Sequence, residues 1–423
     1  MSREPSSHSD ALTRRRFLAA GAFGAAGLYA GVAAHRTLAG GERPPAVLGS
    51  QPAGLPARQH AWVDTLHRDQ FGNPLAPRFD RLLFFDVHGR PTADFAQLLE
   101  SRLRALERRF RWGPEGLLFT VGYGPEYFEQ VLGVRSPLPH ANSLSSFESP
   151  LIDSYHLCLH LACDDEQRTA DVEAALVGGR PLTGMAGALS LGPILIWRET
   201  RAGFTGRGLP HGHEQVAGLR SGGSVPTGAP LFMGFKSGLR RNQATEDDVT
   251  IAGGPFTEGT TMQVSHMRLR LAEWYDGLSA ADRVARMYSP QTTVAAARGF
   301  TTDASGEPKR ITEAITRYGS VGHAQAAAQA RRRNRPIIIR RDFDTVDGGR
   351  AGVHFVSLQR SIEDFVATRS AMNATGAHNI NPKITATRNN GINAFIDVRR
   401  RANYILPSRR DRAFPLLSRQ LRG

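Results

Sequence analysis

Fourteen histidines, two cysteines and a large excess of arginine are the side chains of this 423-residue chain best suited to chemistry. A neutral imidazole can ligate a metal, and a guanidinium, which keeps its charge, can bind or polarise an anion. His323 stands in SVGHAQAAAQARRRN, a segment of helical character, where an ordinary His would be solvated or capping. Its rivals are His266 in QVSHMRLRL, read as structural, and His354 in GVHFVSL. Arg340 and Arg341 end the apolar run IIIRR. Neighbours on a strand point to opposite faces, so only one of the two can enter a given pocket. Cys158 and Cys163 lie five apart in a strand-like stretch, on opposite faces, which argues against a mutual disulfide. The run Arg331-Arg332-Arg333-Asn334-Arg335 reads as a solvated loop with no interleaved aromatic residue, unlike a single-strand nucleic-acid platform. Glu246, Asp247 and Asp248 read as an exposed acidic turn.

Those groups need a frame, and the composition supplies enough material for one. Hydrophobic residues are 40% and charged residues 22%, which excludes general disorder, and the length suits two or three domains. Along the chain, strand patterns at 80–87 and 117–121 flank a helix that Thr92 caps, with Phe95, Leu98, Leu99, Leu103 and Leu106 at helical spacing. A short helix near 125–132 leads to a strand at 155–163, a helix at 165–176 and a strand at 189–197. This β-α-β-β-α-β order predicts an α+β fold, a ferredoxin-like unit with helices packed on an antiparallel sheet. Residues 200–228 are Gly-rich and aperiodic, suited to a junction. Beyond them strands are expected at 231–235, 263–271, 336–343, 352–359 and 393–398, with helices at 279–287, 312–329 and 362–372. The second half thus reads as a second ferredoxin-like unit with longer insertions.

The net charge is +14, with a sequence pI near 10.6. Such a surface attracts nucleic acid, acidic lipid or any anionic ligand. Thr13-Arg14-Arg15-Arg16-Phe17-Leu18 followed by a Gly/Ala-rich apolar stretch to Ala34 resembles a twin-arginine export signal, which directs the chain to the periplasm or beyond. Losing residues 1–40 removes five Arg and two acids and leaves +11, with no stable membrane insertion expected after cleavage. The organisation expected is 1–40 export signal, 41–78 linker and lead-in segment, 79–215 first domain and 216–423 second domain. Export also removes cytoplasmic nucleic acid from the partners.

Several strings occur in order over about residues 78–407: TVGYGPEYFEQVLG, LCLHLACDD, the strand from Trp197 to Phe204, GFKSG, EWYDGLS, VGHAQAAA, IIIRRDF and GVHFVSLQ. Together they resemble the dye-decolorising (DyP-type) haem peroxidase family. The resemblance implies two ferredoxin-like domains around a haem b, with hydrogen peroxide and a small organic reductant as partners and self-association into a homo-oligomer left open. It implies His323 as the axial iron ligand, Arg340 as the cation that polarises peroxide, Arg341 beside it as a further haem contact, and Val353 and Phe355 as haem-lining residues. With those two facing the haem, His354 points away.

One position departs from the family. Its G-x-x-D-G element carries the acid–base Asp, and here Gly234-Phe235-Lys236-Ser237-Gly238 puts Ser237 in that place. A hydroxyl can hydrogen-bond peroxide and relay a proton but does not take one up as a carboxylate does. The first expectation is an exported haem-dependent peroxidase, with Arg340 and Ser237 as catalytic residues. The alternative is a haem-binding or haem-handling protein with little peroxidase activity.

Overall fold

Alternation in the first strand, β1 (Phe79–Val87), divides its side chains between two cores. Leu82 and Phe84 enter one, Leu83 and Phe85 the other. The computed structural model describes residues 54–417 except 186, 220–223, 237–238, 241, 299–301 and 304–306, so the stretch expected as an export signal and Ser237 lie outside the described residues. Helix α1 (Ala93–Arg109) starts where the Thr92 side chain accepts the Phe95 N–H. After β2 (Leu118–Tyr123) and β3 (Leu157–Cys163), Asp165 caps α2 (Glu166–Gly178), which Gly179 ends in a left-handed conformation. Strand β4 (Leu195–Phe204) completes the first half. The spatial order is β2-β3-β1-β4, antiparallel throughout. Leu99, Leu103, Leu106, Val172 and Leu176 of the two helices pack on its outer face.

The second half repeats this order. It contains β5 (Thr260–Leu269), α3 (Ala280–Met287), α4 (His323–Ala327), β6 (Ile339–Arg340), β7 (Phe343–Thr345), β8 (Gly352–Gln359), α5 (Ile362–Met372) and β9 (Ile396–Leu406). Strands β6 and β7 both pair with β8, β8 with β5, and β5 with β9. With β6 and β7 counted as one interrupted strand along β8, each half is four-stranded, and the two sets meet at both edges, Phe204 opposite Asp344 and Tyr123 opposite Ile405, so the strands close into a ring. Leu82, Phe84, Val264, Phe343, Val356 and Tyr404 fill its interior.

Part of the stretch expected as linker is a plug for this ring. Gln59 is buried and binds the Val121 N–H, the Val121 carbonyl and the Pro407 carbonyl, while Trp62 packs on Leu118 and Ala162. Arg412 and Arg409 are fully buried on Glu100 and Glu107 of α1, tying the C-terminal turn to the first half. Cys158 faces the ring interior and Cys163 the helices, and both thiols are free and buried. Burial pushes the Cys163 thiol up to about 11. Among the described residues no helix is long and apolar enough to cross a membrane.

Several expected elements differ. Residues 231–235 form turns, with Gly234 at φ +87° and the Tyr275 hydroxyl donating to the Phe232 carbonyl. The long helix expected at 312–329 breaks at Gly319 (φ +61°), after which the chain starts afresh at His323. The fourth strand runs to Phe204 and absorbs the start of the expected junction. The expected strand 336–343 is two short ones, and a turn precedes β9.

Ring closure depends on a close approach at Gly203, where a Cβ would sit 2.0 Å from the Asp344 carbonyl oxygen and 2.6 Å from the Phe343 ring. A Gly203→Val substitution is expected to lower unfolding free energy by about 3 kcal/mol, the upper range for overpacking. Chemical denaturation checks this, and an unchanged midpoint would mean that the two halves do not need this contact.

Candidate functional site

One wall of the site is the outer face of the second sheet. Ser265, Met267 and Leu269 on β5, Val353 and Phe355 on β8, and Arg401 on β9 all point to it by strand alternation. The facing wall is helical. Phe365, Thr368, Arg369 and Met372 of α5 fall at the spacing of one helix stripe, and His323, Ala324, Ala327 and Ala328 come from α4. Between the walls is a cavity of about 350 Å³, within the range of small-molecule sites. The alanines of α4 leave the room that larger side chains would fill.

His323 is held by two glycines. A Cβ on Gly322 would lie 2.0 Å from the Tyr288 carbonyl oxygen, and one on Gly391 (φ +50°) would lie 3.0 Å from the His323 backbone. The Gln325 carboxamide oxygen accepts the Gly322 N–H and fixes the start of α4. Walled in by protein, the imidazole is pushed down to about 4, first by burial and then by the charges of Arg340 and Arg369. It is therefore neutral at neutral pH, the form that ligates a metal. Among the described residues none hydrogen-bonds it.

Gln243 positions Arg340 as a strand neighbour would. Its side-chain oxygen accepts the Arg340 N–H at 2.6 Å, and its side-chain nitrogen donates to the Arg340 carbonyl at 3.1 Å. The guanidinium is left half-buried in the cavity, with no ion-pair partner among the described residues. At the other end Arg369 and Arg401 share the buried carboxylate of Glu148, at 2.5 Å and 3.0 Å. Two guanidiniums on one carboxylate leave a net positive charge beside the cavity, suited to an anionic group on a ligand.

His323, Arg340, Val353 and Phe355 thus meet in one cavity. Arg341 does not join them, which corrects its expected place among the cofactor contacts. Alternation turns it into the ring interior, where its guanidinium lies 3.6 Å from the Trp62 ring centroid and donates to the His60 carbonyl. Burial brings its pKa down to about 9. Ser237 lies outside the described residues, while Phe235 and Lys236 before it line the cavity. His354 points inward, 3.1 Å from Asp347 and against the His266 ring. Glu246 accepts the Trp62 and Val63 N–H groups, Asp247 pairs with Arg58, and Asp248 caps a turn with Thr245. Asp364 pairs with Arg332 and does not reach His323. Of the basic run, Arg331 lines the cavity.

Sequence reasoning missed Arg369, Arg401, Gln243 and Asp342. The stripe Phe365, Thr368, Arg369, Met372 is the signal that marks Arg369. Glu148 lies 221 residues from Arg369, and no local pattern announces that pairing.

The ring, the helical wall and the cavity define a protein with the fold of the DyP-type peroxidases. The chain is similar to the DyP-type peroxidase from Cellulomonas bogoriensis, with TM-score 0.56 and 19% identity over 85% of this chain and 96% of that one. It is also similar to a variant of DypB from Rhodococcus jostii RHA1 solved in complex with heme, with TM-score 0.54 and 13% identity over 83% and 96% of the chains. At such identity the likeness is one of fold. Residues 77–408 match a family of unknown function (DUF7405), and the chain belongs to that family. No curated protein matches it.

In the cofactor-free protein the His323 ring is expected to titrate near pH 4 by NMR, where an ordinary His titrates near 6.5. Arg340→Ala removes a repelling cation, so the midpoint should rise while staying below 6.5. A wild-type midpoint near 6.5 would contradict the enclosed site.

Proposed function

We propose that this chain is an exported haem protein that reduces hydrogen peroxide at the expense of a small organic reductant. One observation carries the reading: a neutral His323 and an Arg340, neither with a side-chain partner among the described residues, share one apolar-walled cavity. The donor set fits a haem. His323 offers a ring nitrogen, Val353, Phe355, Met267 and Phe365 offer apolar contact, and Arg369 and Arg401 over Glu148 suit the propionates. When bound, the haem would supply a Lewis-acidic iron and the electrons that peroxide reduction takes, which the organic reductant replaces. Arg340 would orient the peroxide and stabilise negative charge as the O–O bond lengthens. Each half of the ring, with its four strands in the order second-third-first-fourth, is read as a ferredoxin-like unit, and the basic, twin-arginine-like start is read as the export signal. Ser237 in place of the acid–base Asp keeps a second reading, a haem binder with little turnover.

Haem added to the purified protein should give a Soret band that saturates at one haem per chain and is lost in His323→Ala. A wild-type protein that gives no such band would overturn both readings. Peroxide-dependent oxidation of an organic dye, slowed at least 100-fold in Arg340→Ala by the usual weight of one electrostatic group, supports the peroxidase. A haem-loaded protein inert to peroxide supports the binder.

A further inference from the structure

The stretch from Arg340 to Asp344 places three charged side chains on one face, because alternate residues of an extended chain point the same way. Arg340, Asp342 and Asp344 all line the cavity, whereas Arg341 and Phe343 turn into the ring. Asp342 is half-buried, and among the described residues nothing hydrogen-bonds or ion-pairs its carboxylate. An unpaired carboxylate on a cavity wall is costly unless it meets something there. Asp344 is already committed, since its carboxylate accepts the Phe232 N–H at 2.5 Å. Burial holds its pKa well above the ordinary carboxylate range.

From this placement, two residues or about 7 Å of extended backbone beyond Arg340, we infer that Asp342 is the acid–base residue of the site. The inference rests on the haem reading above and supplies the carboxylate that the sequence lacks at Ser237. The Asp342 carboxylate takes the proton from the peroxide oxygen nearer the iron and returns it to the outer oxygen. The O–O bond breaks, the outer oxygen leaves as water with the bonding electron pair, the two electrons the remaining oxygen lacks would come from the haem and be replaced by the organic reductant, and the carboxylate is regenerated. Arg340 offsets the charge that builds on the peroxide during the transfer. The charged groups around Asp342 are Arg340 and Asp344 on its own run and Asp80 on β1. The other charged or titratable groups lining the same cavity are Lys236 from the loop, Arg401 from β9, and His323, Arg331 and Arg369 from the helical wall and its flanking turn.

Cyanide provides a readout separate from turnover, because hydrogen cyanide must lose its proton to the same base before the anion binds iron. In haem-loaded protein, Asp342→Asn should keep the Soret band while slowing both cyanide association and peroxide consumption by 100-fold or more, the lower bound for acid–base assistance. Asp342→Glu should restore most of the cyanide rate. A cyanide rate within twofold of wild type in Asp342→Asn would overturn the inference and leave the haem reading standing. Should that variant take up no haem, Asp342→Ser makes the same comparison, and a cyanide rate within twofold of wild type there overturns the inference. A wild-type chain that takes up no haem overturns both.

Discussion

Everything at the site follows from one geometric constraint, the alternation of the run from Ile339 to Thr345 at the seam of the ring. Ile339, Arg341 and Phe343 enter the interior and Arg340, Asp342 and Asp344 enter the cavity. A one-residue slip would exchange the two sets and bury Asp342 and Asp344 among Leu82, Val356 and Tyr404. Two devices hold the register. Gln243 grips both backbone groups of Arg340, and the Phe204–Asp344 contact, made possible by Gly203, fixes the far end.

Charge is then distributed so that the cavity remains cationic. Glu148 satisfies Arg369 and Arg401 from behind, Asp364 takes Arg332, and Arg412 and Arg409 are neutralised far away on Glu100 and Glu107. Among the described residues two unpaired charges are left facing the cavity from the seam, the Arg340 guanidinium and the Asp342 carboxylate. Burial first, and these positive surroundings second, hold His323 neutral, so the electrostatics that suit an anionic ligand also favour the form of the imidazole that can bind metal. The +14 net charge has specific work in only a few of these arginines.

Much of the frame was legible because it is local. The helices Thr92 and Asp165 cap and the strand Gly352–Gln359 are written in side-chain period and capping residues. The break before His323 was not legible because helix-compatible sequence, RITEAITRY and the Ala-rich HAQAAAQA, lies on both sides of Gly319, where the backbone turns left-handed and ends the helix. His323, Arg340, Val353 and Phe355 could be named together, since alternation and motif order reach that far. Arg369, Arg401 and their shared Glu148 could not, because their pairing spans the fold. Asp342 could have been found: it stands two residues past Arg340, and the alternation that excludes Arg341 also selects it.

The central claim is that His323 and the Arg340 face enclose a haem between them. A crystal structure of the haem-loaded protein tests it most directly. The account predicts iron bonded to a ring nitrogen of His323, with Arg340 and Asp342 on the opposite side of the haem plane. Iron ligated by any other residue, or haem bound outside this cavity, would contradict it.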